Sequence, residues 1–505
     1  MRMLRTTLAA ALAASSTAQR ADYVVLTAVA EGAPYHAAAA HLQRHHGARL
    51  VRFDPADLGP VRTALAEALP RHVALVMRPD QIDFAFQRRF LQLATEIDDD
   101  PFVDFAFGYV TGRSGEAALA LAERGTERRP KDGTPTFAAV AGGVPESQRL
   151  EHALPLGDAR VPTLRIYSAG DDAFPEEGRD RGFLAEHLPR LAGRDVVTFI
   201  GHGHPDEVHG GPNHEDLVGL DLADAVVLNV ACYTGTTDRW FDPDYRRGRV
   251  AERRVTGERS FCLGLLDGGV VGYTAYLCPR PAGPELDTDR TALVFDGASL
   301  GEARRRDYDK TVLGFLGFGE QRLALEPIAD GARIAPGRDA VRDLMLEGAT
   351  GGVLFGDPAC VPFAGMPAES PVRIDVAPSA RALAVRATVA ANALFTHCSD
   401  PTARWDETMA MKLHARVPLG DLHVEDVVVD DLRVGGRVVP TRVVWAVEHD
   451  RGERFVQLKV NFPRSQQRTG RLSATVRVVT TADAGGAKLR GGDVPGLLNI
   501  RGEAV

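Results

Sequence analysis

The chain has 505 residues, 44% of them hydrophobic and 25% charged, with a formal net charge of −9. That length is too great for one core, so two or three domains are expected, and the composition is that of an ordinary globular protein. The acidic balance argues against a nucleic-acid partner. The one locally basic stretch, residues 246–259, contains Glu252 and Glu258, has no aromatic residue and reads as a solvated loop.

At the start, Arg2 and Arg5 precede an apolar stretch at 8–14, and Ser16-Thr17-Ala18 is followed by Gln19. A charged n-region, a short h-region and small residues before a cleavage point predict a signal peptide over residues 1–18 and a secreted or extracytoplasmic product. The run is too short to span a bilayer, no later segment reaches that length, and no transmembrane segment is expected. Five cysteines (Cys232, Cys262, Cys278, Cys360 and Cys398) form no CxxC pair. An odd number in an exported chain leaves at least one thiol unpaired.

After the leader, residues 22–29 (DYVVLTAV), 48–53 (ARLVRF) and 72–77 (HVALVM) read as buried strands, with helices at 35–45 and 61–69 between them. Alternation of this kind predicts a parallel sheet covered on both faces. Another strand at 102–109 leads to a helix at 114–124 with Glu116 near its N-terminus. The loop 124–135 marks a boundary, giving an N-terminal α/β subdomain over 22–130. Strands at 136–140 and 162–167 and a helix at 181–188 follow, and then two strands of particular interest, 195–200 (DVVTFI) and 225–231 (AVVLNVA). A helix at 261–266 and a strand at 269–276 continue the α/β pattern, which defines a second subdomain over 131–365. Beyond residue 366 strands occur without helices. In 455–462 (FVQLKVNF), Val456, Leu458, Val460 and Phe462 share one face and Gln457, Lys459 and Asn461 the other. This predicts a β-sandwich over 366–505, large enough to fold alone.

The two strands of interest end in Gly201-His202-Gly203-His204 and Ala231-Cys232-Tyr233-Thr234. In a parallel sheet the carboxyl ends of neighbouring strands meet, so a His and a Cys thirty residues apart can share a site. A thiolate nucleophile needs a group that takes its proton and later protonates the leaving amine, and imidazole serves both steps. The N–H groups of Gly203 and Cys232 could hold an oxyanion. Read without further context, each residue is more often an ordinary structural one, the Cys an inert buried thiol and the His a strand-end side chain.

The pair GHG and VAC, each closing an apolar strand, resembles the gingipain-type, caspase-like cysteine peptidases. Residues 104–113 with the Glu116 helix, the glycine-rich strand 268–276 and the box Val353-Leu354-Phe355-Gly356-Asp357-Pro358 resemble further family features in the same order. The resemblance covers nearly the whole chain after the leader. It implies a caspase-like α/β catalytic region followed by an immunoglobulin-like sandwich, with His202 and Cys232 as a catalytic dyad acting on protein or peptide substrates. It also implies that no cofactor is required and that calcium is the structural ion to expect. Acidic runs such as 96–100 (EIDDD) nevertheless read as solvated surface. The segment 141–149 (AGGVPESQR) offers only Glu146 as a carboxylate, so neither preference for basic residues nor a third catalytic member is expected. By position alone, pocket walls are expected from 277–281.

Two other readings compete. IGHGHPDEVHGG (200–211) resembles the HxHxDH box of metallo-β-lactamase-fold hydrolases, with His202, His204 and Asp206 as zinc ligands and His209 and His214 nearby. Against it, Glu207 occupies the last position of the box, and no further His occurs until His397. The second alternative is an inactive caspase-like scaffold or adhesion protein. Retention of His202, Gly203 and Cys232 together argues for the peptidase.

Overall fold

The computed structural model describes residues 22–133, 135–141, 163–167, 181–229, 231–244, 248–279, 293–317, 319–325, 327–333, 348–365, 372–379, 382–389, 412–420, 422–434, 437–438, 442–461, 472–482 and 498–499. The expected leader, the Glu146 segment and Cys398 lie outside these residues.

Seven strands come first: β1 (Tyr23–Thr27), β2 (Arg49–Arg52), β3 (His72–Val76), β4 (Ala106–Val110), β5 (Phe137–Ala141), β6 (Thr163–Tyr167) and β7 (Val196–Ile200). Two ribbons, β8 (Gly203–His204) with β9 (Glu207–Val208) and β11 (Arg239–Asp244) with β12 (Arg249–Arg254), flank β10 (Val226–Leu228). Strands β13 (Gly272–Tyr276) and β14 (Gly352–Phe355) complete the region. Ten of these form one sheet in the order β2-β1-β3-β4-β14-β13-β10-β7-β5-β6. Every neighbouring pair is parallel except β13 and β14, which run antiparallel with Tyr273 opposite Phe355. The expected parallel sheet is therefore mostly parallel, built of two parallel halves joined at one antiparallel seam.

The strands read as unbroken apolar runs because both faces are covered. Along β1, Val24 and Leu26 enter a core with Leu65, Phe86 and Phe90, while Tyr23 and Val25 enter another with Ala38, Leu42 and Ala118. Among the described residues several helices begin on side-chain caps, Ser299 accepting from the Glu302 amide before the helix Leu300–Gly317. Asp83, Ser114 and Ser260 accept hydrogen bonds from the amides of Phe86, Ala117 and Leu263, opening the helices Phe84–Ala94, Gly115–Glu127 and Phe261–Asp267.

The box at 353–358 sits where the two halves meet. Gly356, at φ +131°, donates its N–H to Tyr109 O, and a Cβ there would stand 3.0 Å from Val271 O. Asp357 is buried and accepts from the Tyr23 hydroxyl at 2.7 Å and from the Ala359 amide at 2.9 Å, with His46 Nε2 at 2.8 Å. Burial pushes this carboxyl up, but the His46 hydrogen bond and charge outweigh it and hold the group below its ordinary range.

Beyond residue 366 the described strands form two antiparallel sheets. One takes β15 (Val372–Ser379), β16 (Ala382–Val389), β18 (Leu422–Val434), β19 (Arg437–Val438) and β22 (Leu472–Ala482). The other takes β17 (Lys412–Pro418), β20 (Arg442–Asp450), β21 (Glu453–Asn461) and β23 (Leu498–Asn499). On β21, Val456 and Leu458 are buried as their pattern predicts, but so are Gln457 and Lys459 on the opposite face. That face meets the helix Leu300–Gly317. Its Arg305 binds Glu448 at 2.7 Å, Asp450 at 3.0 Å and Val103 O at 2.6 Å, while Arg416 binds the same two carboxylates. Gln457 donates to Asp309 and Glu448. The run 96–100 is not all solvated surface either: Asp100 is buried and accepts from the amides of Phe102 and His449.

Candidate active site

Strands β7 and β10 are parallel neighbours, with Val196 opposite Val226 and Val197 opposite Val227. Their carboxyl ends therefore emerge side by side, and the Thr198 hydroxyl bridges them by donating to Leu228 O at 2.5 Å. After β7 the chain turns at Gly201, at φ +144°, passes the exposed His202 and enters the β8–β9 ribbon. The His209 amide closes that ribbon onto His202 O at 2.8 Å. Gly203 lies against the main chain of Cys232: a Cβ at 203 would stand 2.1 Å from Cys232 O and 2.8 Å from Cys232 N. The structure thus brings together the two segments singled out in the sequence, by a contact that only glycine allows.

The turn carrying Cys232 rests on a buried polar scaffold. Asn229 donates to Thr234 Oγ1 at 2.6 Å and to the Tyr273 hydroxyl at 2.9 Å, and its carbonyl oxygen accepts from the Ala231 amide. Tyr273 in turn donates to Thr234 O. Tyr233 follows Cys232 in the left-handed region at φ +56°, a conformation that a non-glycine residue keeps only where its surroundings impose it. Of the four cysteines among the described residues, Cys262, Cys278 and Cys360 are buried, and Cys232 alone keeps partial exposure. Burial pushes the Cys262 and Cys360 thiols up, away from the thiolate form.

Beyond Gly203 a cavity of about 670 Å³ opens between the β8–β9 ribbon and the β11–β12 ribbon. His204 Nδ1 lies 2.7 Å from Asp206, whose other oxygen accepts from Arg259. The His204 hydrogen bond, with that of Arg259, holds the Asp206 carboxyl well below the usual carboxylate range despite partial burial. Trp240 meets the rings of His204 and Tyr233 edge-on at 5.0 and 4.8 Å, so the cavity floor abuts the residue after Cys232.

Several expectations are corrected. The stretch 246–259, read as a solvated loop, supplies β12 and one wall of this cavity. Leu277 and Cys278, expected in pocket walls, are buried; Cys278 O accepts from the Tyr233 amide, and the segment supports the cysteine turn from beneath. Arg280 and Pro281 lie outside the described residues. The His204 and Asp206 positions considered for zinc form a hydrogen-bonded chain to Arg259. Among the described residues no group of three His, Cys, Asp or Glu side chains is placed to hold a metal ion. Asn229, Tyr273 and Trp240 were missed. An Asn inside the apolar run LNVAC was the available signal, because a buried amide needs partners.

No protein-family model and no curated protein matches the chain. Among solved structures it is similar to the Arg-specific cysteine proteinase gingipain R, at 12% identity and a TM-score of 0.43, over 92% of this chain and 97% of that one. It is also similar to the complex of RgpB pro- and mature domains from Porphyromonas gingivalis, at 11% identity and a TM-score of 0.41, over 91% and 98%. Likeness of that degree assigns no residue a role, and the functional reading rests on the site itself.

Proposed function

We propose that the chain is a cysteine endopeptidase, exported by its leader, in which Cys232 and His202 form the catalytic pair. The observation that carries the reading is the seating of Gly203 on the main chain of Cys232, at the ends of two adjacent parallel strands. A histidine directly before that glycine and the one partly exposed cysteine of the described residues thereby lie at the carboxyl ends of adjacent strands. The resemblance of GHG, VAC and the box at 353–358 to gingipain-type peptidases supports the same reading.

In this mechanism the Cys232 sulfur attacks the carbonyl carbon of a peptide, and the N–H groups of Gly203 and Cys232 receive the oxyanion. His202 takes the thiol proton and delivers it to the departing amine, leaving a thioester. Water, deprotonated by His202, then attacks the thioester and releases the acid and the thiol. The Asn229–Thr234–Tyr273 network fixes the turn, so the nucleophile is held in place before substrate arrives.

The test is cleavage of a mixed fluorogenic peptide library under reducing conditions by wild type, Cys232→Ala and His202→Ala, with and without EDTA. Cleavage abolished in both variants and retained in EDTA is the expected result. Activity that survives Cys232→Ala would overturn the assignment, and silence of the wild type towards every peptide would favour a scaffold role.

A further inference from the structure

The cavity beside the proposed dyad has a chemical character that the peptidase reading does not use. Its walls carry three guanidiniums, of Arg253, Arg254 and Arg259, against two carboxylates, of Asp206 and Asp242. Each arginine is anchored through its own ion pair: Arg253 to Asp242 at 2.9 Å, Arg254 to Asp238 at 3.2 Å and Arg259 to Asp206 at 2.5 Å. These contacts position the guanidiniums yet use few of the five donors each carries, and the three side chains remain 57%, 66% and 61% exposed. Arg253 also stands over the Trp240 ring, 5.9 Å from its centre, and Trp240 meets both His204 and Tyr233. The result is a preformed, aromatic-floored recess in which each guanidinium is charge-balanced by one aspartate and still presents unused N–H donors.

The recess has a defined place relative to the chemistry. It opens from the ribbon that begins directly after His202, through His204 and Asp206. If His202 protonates the leaving amine, the part of the substrate on this side is the segment C-terminal to the scissile bond. Resting on the peptidase reading, we propose that this recess is a specificity subsite for acidic side chains, Asp or Glu, in the leaving-group segment of the peptide. A carboxylate entering it meets the unused donors of Arg253 and Arg254, while the Asp206–Arg259 pair closes the end nearest the dyad. The arrangement favours planar two-point contacts, which guanidinium makes with carboxylate and an ammonium does not.

The test uses full-length protein and peptide pools randomised before the bond, carrying Glu, Gln or Lys at each of the first three positions after it. Wild type is expected to cleave the Glu pools roughly two- to fivefold faster than the Lys pools, the range of one exposed ion pair, with the preference fading at high salt. Arg254→Glu should abolish or invert that order, and Arg254→Gln should flatten it. Equal cleavage of all pools by wild type overturns the subsite and leaves the peptidase intact, as does an equal slowing of every pool in both variants. A wild type that cuts nothing refutes the peptidase reading instead. The subsite is then decided by titrating Cys232→Ala protein with Glu- and Lys-bearing decapeptides and reading tryptophan fluorescence: equal affinity for the two overturns it.

Discussion

Replacing Gly203 by alanine tests whether the seating of the two strand ends is what makes the site. The added methyl would lie 2.1 Å from Cys232 O, where ordinary contact begins at 3.4 Å, and 2.9 Å from the Ala231 side chain. All the nearest atoms belong to main chain or to a Cβ, so no flexible side chain can swing aside. The β8–β9 ribbon must instead retreat by roughly 1 Å, at a cost of about 1–3 kcal/mol in overpacking. Stability survives such a loss, but catalysis does not tolerate it, because a displacement of that size costs on the order of 100-fold in rate. The expected result is a melting temperature lowered by a few degrees and kcat/KM lowered about 100-fold, with Cys232 still alkylated by iodoacetamide. Melting curves, peptide kinetics and thiol labelling on one preparation read all three. A Gly203→Ala protein with kcat/KM within threefold of wild type would refute the geometry on which the proposed mechanism depends.

Asn229→Ala removes the amide that ties Thr234 and Tyr273 together beneath the nucleophile and should cost about 2 kcal/mol, read by denaturant unfolding, with a larger loss in kcat than in KM. Asp357→Ala leaves Tyr23, His46 and Ala359 without their buried acceptor and should destabilise by about 3 kcal/mol at neutral pH. Because the folded protein holds Asp357 below its ordinary value, the part of its contribution that depends on ionisation is complete above about pH 4 and fades as pH falls further, so the gap between variant and wild type should narrow in acid. Asp309 behaves in the opposite sense. Burial, opposed by Arg305, pushes it up to about 7, so the folded state holds an extra proton between about pH 4 and 7 and loses stability as pH rises through that window. Asp309→Asn should remove that slope and gain on the order of 2 kcal/mol over wild type at pH 8 in urea unfolding, and an unchanged slope would refute the assignment.

Most strands of the α/β region were legible because full burial on both faces writes an apolar run, as in DYVVLTAV and HVALVM. The strand ends bearing His202 and Cys232 were legible for the same reason, but the close seating of Gly203 on the Cys232 main chain was not, because it depends on how two separate strand ends meet. What failed was the equation of charge with solvent. The helix Leu300–Gly317 carries Arg305 and Asp309, both buried, because their partners Glu448, Asp450 and Gln457 arrive from strands more than a hundred residues later. No local pattern announces such partners. The β11–β12 ribbon was lost in a similar way: Pro243 and a run of arginines mimic a loop, and the pairing of Arg239 with Arg254 and of Phe241 with Glu252 shows in neither strand alone. The antiparallel seam was equally hidden, since strand direction is a property of the connection and not of the strand.

The charged joint between the helix Leu300–Gly317 and strands β20 and β21 bears on how this protein could have been assembled, or could be reassembled. A greasy interface is promiscuous, and one set of aliphatic residues can be traded for another of similar volume. Here Arg305 and Arg416 share Glu448 and Asp450, and Gln457 reaches across to Asp309. A C-terminal region grafted from another source would bury Arg305 against the wrong surface unless it brought its own pair of carboxylates at the same register. The two regions behave as lock and key for each other. Genetic recombination at the junction near residue 366 would therefore succeed only between relatives that had kept both halves of that match.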